Sequence, residues 1–172
     1  MNRLKQETGF SLGSNMGNRL VHLQQARQAL LSVPDTTLSA QSPVYETEPV
    51  DVQPEYRHLK FLNAVLAVSS PLDPWAWIEV INHIEQELGR VRSADRNAPR
   101  TIDIDLLYAG DHQIDRAGLT IPHPRWTERA FVIRPLADIR GKAILPGCTE
   151  CVADMLSGMT DTGGLNMVAQ DW

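Results

Sequence analysis

The sequence predicts an α+β fold of the ferredoxin-like type, a split β-α-β-β-α-β order that folds into an antiparallel sheet with both main helices packed on one face and a C-terminal extension. Three observations predict it. Four segments carry strand signals; two segments with helical spacing fall between the first and second and between the third and fourth; and Gly, Pro, Asn and Asp punctuate the joins. The chain has 172 residues with no internal repeat, low-complexity tract or Gly/Ser linker, so residues 1–172 are expected to form a single domain.

The first strand, GFSLG, runs into Gly13-Ser14-Asn15-Met16-Gly17-Asn18, after which Leu20, Leu23, Arg27 and Leu30 recur at helical spacing with Leu31 beside them. This reads as strand, tight turn and a helix capped by Asn or Ser. The glycines let the turn approach a ligand closely, but the spacing fits a plain strand-to-helix turn better. After Pro34-Asp35, TLSAQSPVYET is a strand in which Pro43 implies an edge position or a bulge. A loop, EPVDVQPEYRH, precedes the strand Leu59 to Val68, whose β-branched and aromatic content implies burial on at least one face. Asp73-Pro74 then supplies an N-cap with proline at the first helical position, Trp77, Ile81, Ile84 and Leu88 form an apolar stripe, and Gly89 stops the helix. A fourth strand runs from Thr101 to about Tyr108, before the Gly110-Asp111 turn. A last helix is expected from Trp126 to Ile139, kinked or split at Pro135.

Composition narrows the function classes. Hydrophobic residues make up 42% and charged residues 22%, which fits a folded globular protein rather than a disordered one. No apolar run approaches the roughly 20 residues needed to cross a bilayer, and MNRLKQETGF is too polar for a signal peptide, so a cytoplasmic protein without a membrane partner is expected. A net charge of −5 argues against nonspecific nucleic-acid binding, and any anion site must be local. The two cysteines, Cys148 and Cys151, have no second pair or nearby histidine to complete a zinc site, and they read as incidental thiols.

The local anion site is conspicuous. Arg90, Arg92, Arg96 and Arg100 fall within eleven residues between Gly89 and Thr101, in a chain with 13 arginines and 3 lysines. Planar guanidinium groups make forked hydrogen bonds to phosphate oxygens. In Thr101-Ile102-Asp103-Ile104-Asp105-Leu106-Leu107, period-two alternation puts Asp103 and Asp105 on one strand face. Alone, such a pair is either a polar outer face or an oxygen-only site suited to Mg²⁺. The adjacent arginines favour the second reading, and together they equip the chain to handle a polyphosphate. There is no GxxxxGK[ST] loop. His123 lies in the rigid loop Ile121-Pro122-His123-Pro124-Arg125, whereas His83 sits on a regular helix and is given no role.

The motifs LGSNMGN, YETEPV, FLNAV, ELGRVR, RNAPRTIDIDLLYAG and IPHPRWTERAFVIRPLADI, in this order from about Gly9 to Ile139, resemble the 6-hydroxymethyl-7,8-dihydropterin pyrophosphokinases of folate biosynthesis. The resemblance implies a ferredoxin-like α/β fold and transfer of the β,γ-pyrophosphoryl group of ATP to the pterin hydroxymethyl group, leaving AMP, with two Mg²⁺ ions. It implies that Asp103 and Asp105 bridge the metals. It assigns Arg90 and Arg100, joined by Arg92 and Arg96, to neutralising the moving group. Asn82, Glu85, Leu106, Leu119, Thr120, His123 and Arg129 match the nucleotide pocket. Thr47, Val50, Phe61, Asn63 and Phe131 match the pterin pocket, where Phe61 and Phe131 sandwich the flat ring and Asn63 and Thr47 meet its polar edge. A monomer is expected. Departures from the family are Asn97 where tryptophan is common, Ser93 where a basic residue occurs, Pro124 where an aromatic occurs, and Asp51 where glycine is usual. The competing classes are a non-catalytic nucleotide or pterin binding module, disfavoured by the intact carboxylates and arginines, and an RNA-binding module, disfavoured by the acidic balance.

Overall fold

The computed structural model describes residues 4–90, 98–160 and 164–172. The expected order is present as β1 (Gln6–Ser14), α1 (Arg19–Leu31), β2 (Thr37–Gln41), β3 (Val44–Thr47), β4 (Phe61–Ser70), α2 (Pro74–Glu87) and β5 (Asp103–Ala109). The sheet runs β5-β1-β4-β3-β8 with β2 also on β4, and every pairing is antiparallel. Here β8 is Asn166–Ala169, a strand that the sequence reading left inside the C-terminal extension.

The single strand expected over TLSAQSPVYET is two strands, because Pro43 has no N–H for the ladder. Ser42 mends the break. Its N–H donates to the Val65 carbonyl at 2.9 Å, and its Oγ accepts the Val65 N–H at 2.9 Å. The indole Nε1 of Trp172 donates to the Ser42 carbonyl at 2.7 Å, fastening the chain beyond β8 over the same point.

Both helices sit where local signals place them. Asn18 caps α1, its Oδ1 accepting from the Val21 N–H at 3.3 Å, and Asp73 caps α2 by accepting from Trp75 and Ala76 at 3.0 Å each. Leu23, Ala26 and Leu30 of α1 and Trp77, Ile81 and Ile84 of α2 pack on Phe10, Leu12, Leu62, Leu66, Ile104 and Leu106 of the sheet. Phe10 and Trp77 meet edge to face, centroids 4.9 Å apart.

The opposite face is covered by the extension. The hairpin β6 (Ile114–Arg116) and β7 (Leu119–Ile121) leads into α3 (Ala130–Arg140) and α4 (Val152–Gly158). Val132, Ile133, Leu136 and Val152 bury Val65, Leu107 and Tyr108. Pro135 does not split the helix expected over Trp126 to Ile139, which runs unbroken through it as α3. It is the sixth residue of α3 and buried, so the one hydrogen bond it forfeits is offset by packing. The break falls at Arg129, which is extended at φ −110°, ψ 102° between a 3-10 turn at Trp126–Glu128 and α3.

The register decides what this second layer leaves open. Ser11 stands opposite both Asp105 and Val65; Gly13 stands opposite both Asp103 and Asn63; Asn63 faces Tyr45, and Phe61 faces Thr47. Residues directly across a ladder share a face. Asp103, Asp105, Asn63 and Thr47 therefore project from the α3 side of the sheet, beyond the end that α3 and α4 cover.

Candidate active site

A cleft of about 1210 Å³ lies over that uncovered part and continues round β5, the edge strand, toward α2 and the β6–β7 hairpin. Its floor is kept low by Gly13, where a Cβ would come within 3.3 Å of Asn63 Oδ1.

At its centre stand the two aspartates, both facing the cleft as the period-two pattern requires. Asp103 is held by two arginines: Arg90 Nη1 donates to Oδ1 at 2.6 Å and Arg100 Nη1 to Oδ2 at 3.0 Å. Asp105 has looser company, with Arg129 Nη1 at 3.3 Å and His123 Nε2 at 3.8 Å from Oδ2. The difference shows in its acidity. Burial, and then repulsion from Asp103, push the Asp105 carboxyl up to about 6, against the opposing pull of Arg129. His123 moves the other way, to about 4, because burial and then the neighbouring Arg129 disfavour its cation. Its Nδ1 accepts the Arg125 N–H at 3.1 Å, which leaves the proton of the neutral ring on Nε2, facing Asp105.

Glu85, only 3% exposed on α2, lies behind this group. Its Oε1 accepts from the Ile104 N–H at 2.9 Å and from Arg90, so it ties α2, β5 and Arg90 together. Burial raises its pKa, opposed by these donors. Arg92 and Arg96 lie outside the described residues, as do Ser93 and Asn97.

Toward α2 and the hairpin, Asn82, Leu106, Leu119, Thr120, His123 and Arg129 all line the cleft. Ile78, Ile81 and Arg116 line the same end and were not anticipated. Arg116 belongs to a three-residue strand too short to leave a periodic signal.

Toward β3 and α3, Thr47, Val50, Phe61, Asn63 and Phe131 line the other end. Asn63 Nδ2 donates to Thr47 Oγ1 at 2.8 Å, both residues buried, which fixes the amide's orientation and leaves Oδ1 over Gly13. Phe131 opens α3 with the Arg129 guanidinium 5.7 Å from its ring centre. Tyr45 locks α3 to β3, its hydroxyl donating to Asp138 Oδ2 at 2.5 Å and accepting from Arg134 Nε at 3.2 Å. Val50 is exposed at the rim. Beside it Asp51 has φ +56°, a left-handed conformation that accounts for the glycine usual there and that aspartate tolerates better than most residues. Its carboxylate lies 3.6 Å from Arg125.

The cleft thus joins an end lined by Phe61, Phe131, Asn63 and Thr47 to a carboxylate pair set among arginines. Residues 9–141 match the family model described as 7,8-dihydro-6-hydroxymethylpterin-pyrophosphokinase (HPPK). The chain is 36% identical over 161 residues to a 2-amino-4-hydroxy-6-hydroxymethyldihydropteridine pyrophosphokinase of Bacillus subtilis, covering 94% of this chain and 89% of that protein. Its likeness to the protein of the same description from Pseudomonas aeruginosa is 37% over 141 residues, 82% of this chain and 85% of the other. Among solved structures, a Plasmodium falciparum HPPK-DHPS crystal structure with pterin and p-hydroxybenzoate superposes with a TM-score of 0.69 at 16% identity, over 91% of this chain. This chain spans 43% of that longer protein, so the likeness speaks to the fold alone.

Proposed function

The chain belongs to the 7,8-dihydro-6-hydroxymethylpterin-pyrophosphokinase family and transfers the pyrophosphoryl group of ATP to hydroxymethyldihydropterin in folate synthesis, and from this premise we propose how its own residues perform the reaction. The observation that carries the proposal is that one cleft is lined at once by Phe61 and Phe131, by Asp103 and Asp105, and by residues of α2 and the hairpin; the slot between the two rings is part of the proposal. Pterin occupies the slot, with Asn63 and Thr47 against its edge and Val50 at the rim. The nucleotide lies between Asn82, Leu106, Leu119, Thr120, His123 and Arg129. The hydroxymethyl group and the β-phosphate then meet above the aspartates.

The donor set suits Mg²⁺. Two carboxylates two residues apart offer oxygen ligands only, and the high pKa of Asp105 marks negative charge that Arg129 alone does not balance. We assign Asp103 and Asp105 as the ligands of two ions, with phosphate oxygens and water completing each shell. When bound, Mg²⁺ withdraws charge from the phosphates and orients them for in-line attack. The pterin hydroxyl oxygen bonds to the β-phosphorus and gives up its proton to water, the bond from that phosphorus to the α-phosphate bridging oxygen breaks, and AMP departs with that oxygen. Arg90 and Arg100 would turn their guanidinium groups from Asp103 to the transferring phosphates once metal ions share its charge; the family resemblance assigns Arg92 and Arg96 to the same neutralisation. Glu85 holds Arg90 at the correct depth, and neutral His123 donates from Nε2. A single domain of 172 residues, acting as a cytoplasmic monomer, suffices in this reading. No helix among the described residues is long and apolar enough to cross a membrane.

The test is product analysis. With Mg-ATP and 6-hydroxymethyl-7,8-dihydropterin, the protein is expected to yield AMP and a pterin diphosphate in equal amounts. Accumulation of ADP would mean single-phosphoryl transfer, and binding without nucleotide turnover would mean a non-catalytic module. A second expectation follows from Asp105. Its folded pKa of about 6 lies above the ordinary 3.8, so in metal-free protein a proton on Asp105 favours the folded state between those values, and its ionisation works against folding above them. Mg²⁺ removes that penalty and displaces the proton. Metal binding without nucleotide is therefore expected to release protons at pH 6 but scarcely at pH 8, and its affinity should fall as the pH drops through 6. Calorimetry in buffers of different ionisation enthalpy measures this; equal release at both pH values would remove Asp105 from the ligand set.

A further inference from the structure

The β1–α1 turn contributes no residue to the roles assigned above, yet its Asn15 is 3% exposed and makes two long-range bonds to a single residue of the site. Asn15 Oδ1 accepts the Arg100 N–H at 2.8 Å, and the Asn15 N–H donates to the Arg100 carbonyl at 3.2 Å. The β1–β5 ladder ends at Gly13 opposite Asp103, so Arg100 lies beyond its reach. Nor can the preceding residue fasten the chain through its own N–H, because it is Pro99. Asn15 therefore clamps the Arg100 backbone on both sides of its Cα. From that fixed point the guanidinium reaches Asp103 at 3.0 Å, with Nε donating to the Ala98 carbonyl at 3.3 Å. Asn15 also keeps its Nδ2 buried with no hydrogen-bond partner among the described residues. A position that served packing alone would shed that penalty by carrying an apolar side chain.

We propose that Asn15 is a positioning residue for pyrophosphoryl transfer, holding the Arg100 backbone so that its guanidinium meets the carboxylate and phosphate charges at a set depth. The proposal rests on the role assigned to Arg100 above. A long, flexible side chain neutralises a developing charge well only if its root is fixed, since misplacement of the order of 1 Å is costly to catalysis.

The experiment is a double-mutant cycle in the AMP-release assay with Asn15→Ala, Arg100→Ala and the pair, alongside pterin binding by fluorescence. Asn15→Ala is expected to lower kcat by about 10–100-fold, with the pterin KM and dissociation constant changed less than about twofold. In the Arg100→Ala background it should add nothing. A full further loss there would show a general structural effect and overturn the proposal, as would an Asn15→Ala enzyme with unchanged kcat. If Asn15→Ala does not fold, Asn15→Asp serves, since it keeps the acceptor for the Arg100 N–H: kcat within a few-fold supports the clamp, and loss as deep as in Arg100→Ala overturns it. An unimpaired Arg100→Ala would instead sink the role of Arg100 itself, and the clamp with it.

Discussion

Asp103→Asn is expected to lower kcat by about 10³-fold or more while changing pterin affinity less than about threefold. Both Arg90 and Arg100 grip Asp103, through opposite oxygens at 2.6 and 3.0 Å. The amide keeps the size and one acceptor oxygen but loses the charge. Under the proposed assignment the metal site would lose an anionic ligand, and in the metal-free protein two guanidinium groups lose their shared counter-ion. The part of the cleft proposed for pterin is lined by other residues, namely Phe61, Asn63, Thr47 and Phe131. Steady-state kinetics with fluorescence titration of pterin separates the two effects. A variant as active as the parent would refute the metal role of Asp103, and one that lost pterin affinity in step with kcat would place the residue in the wrong half of the cleft.

The second large effect belongs to Phe131. Phe131→Ala is expected to raise the pterin KM by about 10–100-fold, equivalent to roughly 1.4–2.8 kcal/mol, the sum of an aromatic contact and the apolar area it covers. The ATP KM should change little, and kcat by no more than about threefold. Phe131 is half-buried at the start of α3, so its loss costs the fold less than loss of a core residue such as Ile133. Its other neighbour is Arg129, 5.7 Å from the ring, which also pairs with Asp105. If the ATP KM rose and the pterin KM did not, the ring would serve to seat Arg129 rather than to stack on pterin.

Much of the architecture was legible in local chemistry. Asp73-Pro74 and Asn18 announce helix starts because capping is satisfied within three or four residues, and Gly89, at φ +78°, marks where α2 ends. The shared face of Asp103 and Asp105 follows from the pleat alone. What misled was a rule applied without its tertiary context: Pro135 is tolerated in α3 because its ring is buried there, whereas Pro43, in a ladder, does break its strand. The hairpin β6–β7 and the strand β8, at three and four residues, are too short for any period to show.

By itself, then, the sequence determined the β-α-β-β-α-β order of the main elements, the faces their side chains take, the charge chemistry of residues 90–105 and, through its motifs, the family. Only the tertiary structure decided which of those residues act together. Asn15 meets Arg100 across 85 positions, Arg129 meets Asp105 across 24, and Glu85 reaches Ile104 across 19. Such contacts are products of sheet order and register, which bring distant strands side by side. The same holds for the unequal surroundings of Asp103 and Asp105: the pleat gives both the same direction, but burial and the placement of three arginines from two separate connections leave one held by two guanidinium groups and the other with a raised pKa. No local pattern encodes that difference, because desolvation and charge are summed over everything the fold packs around a group.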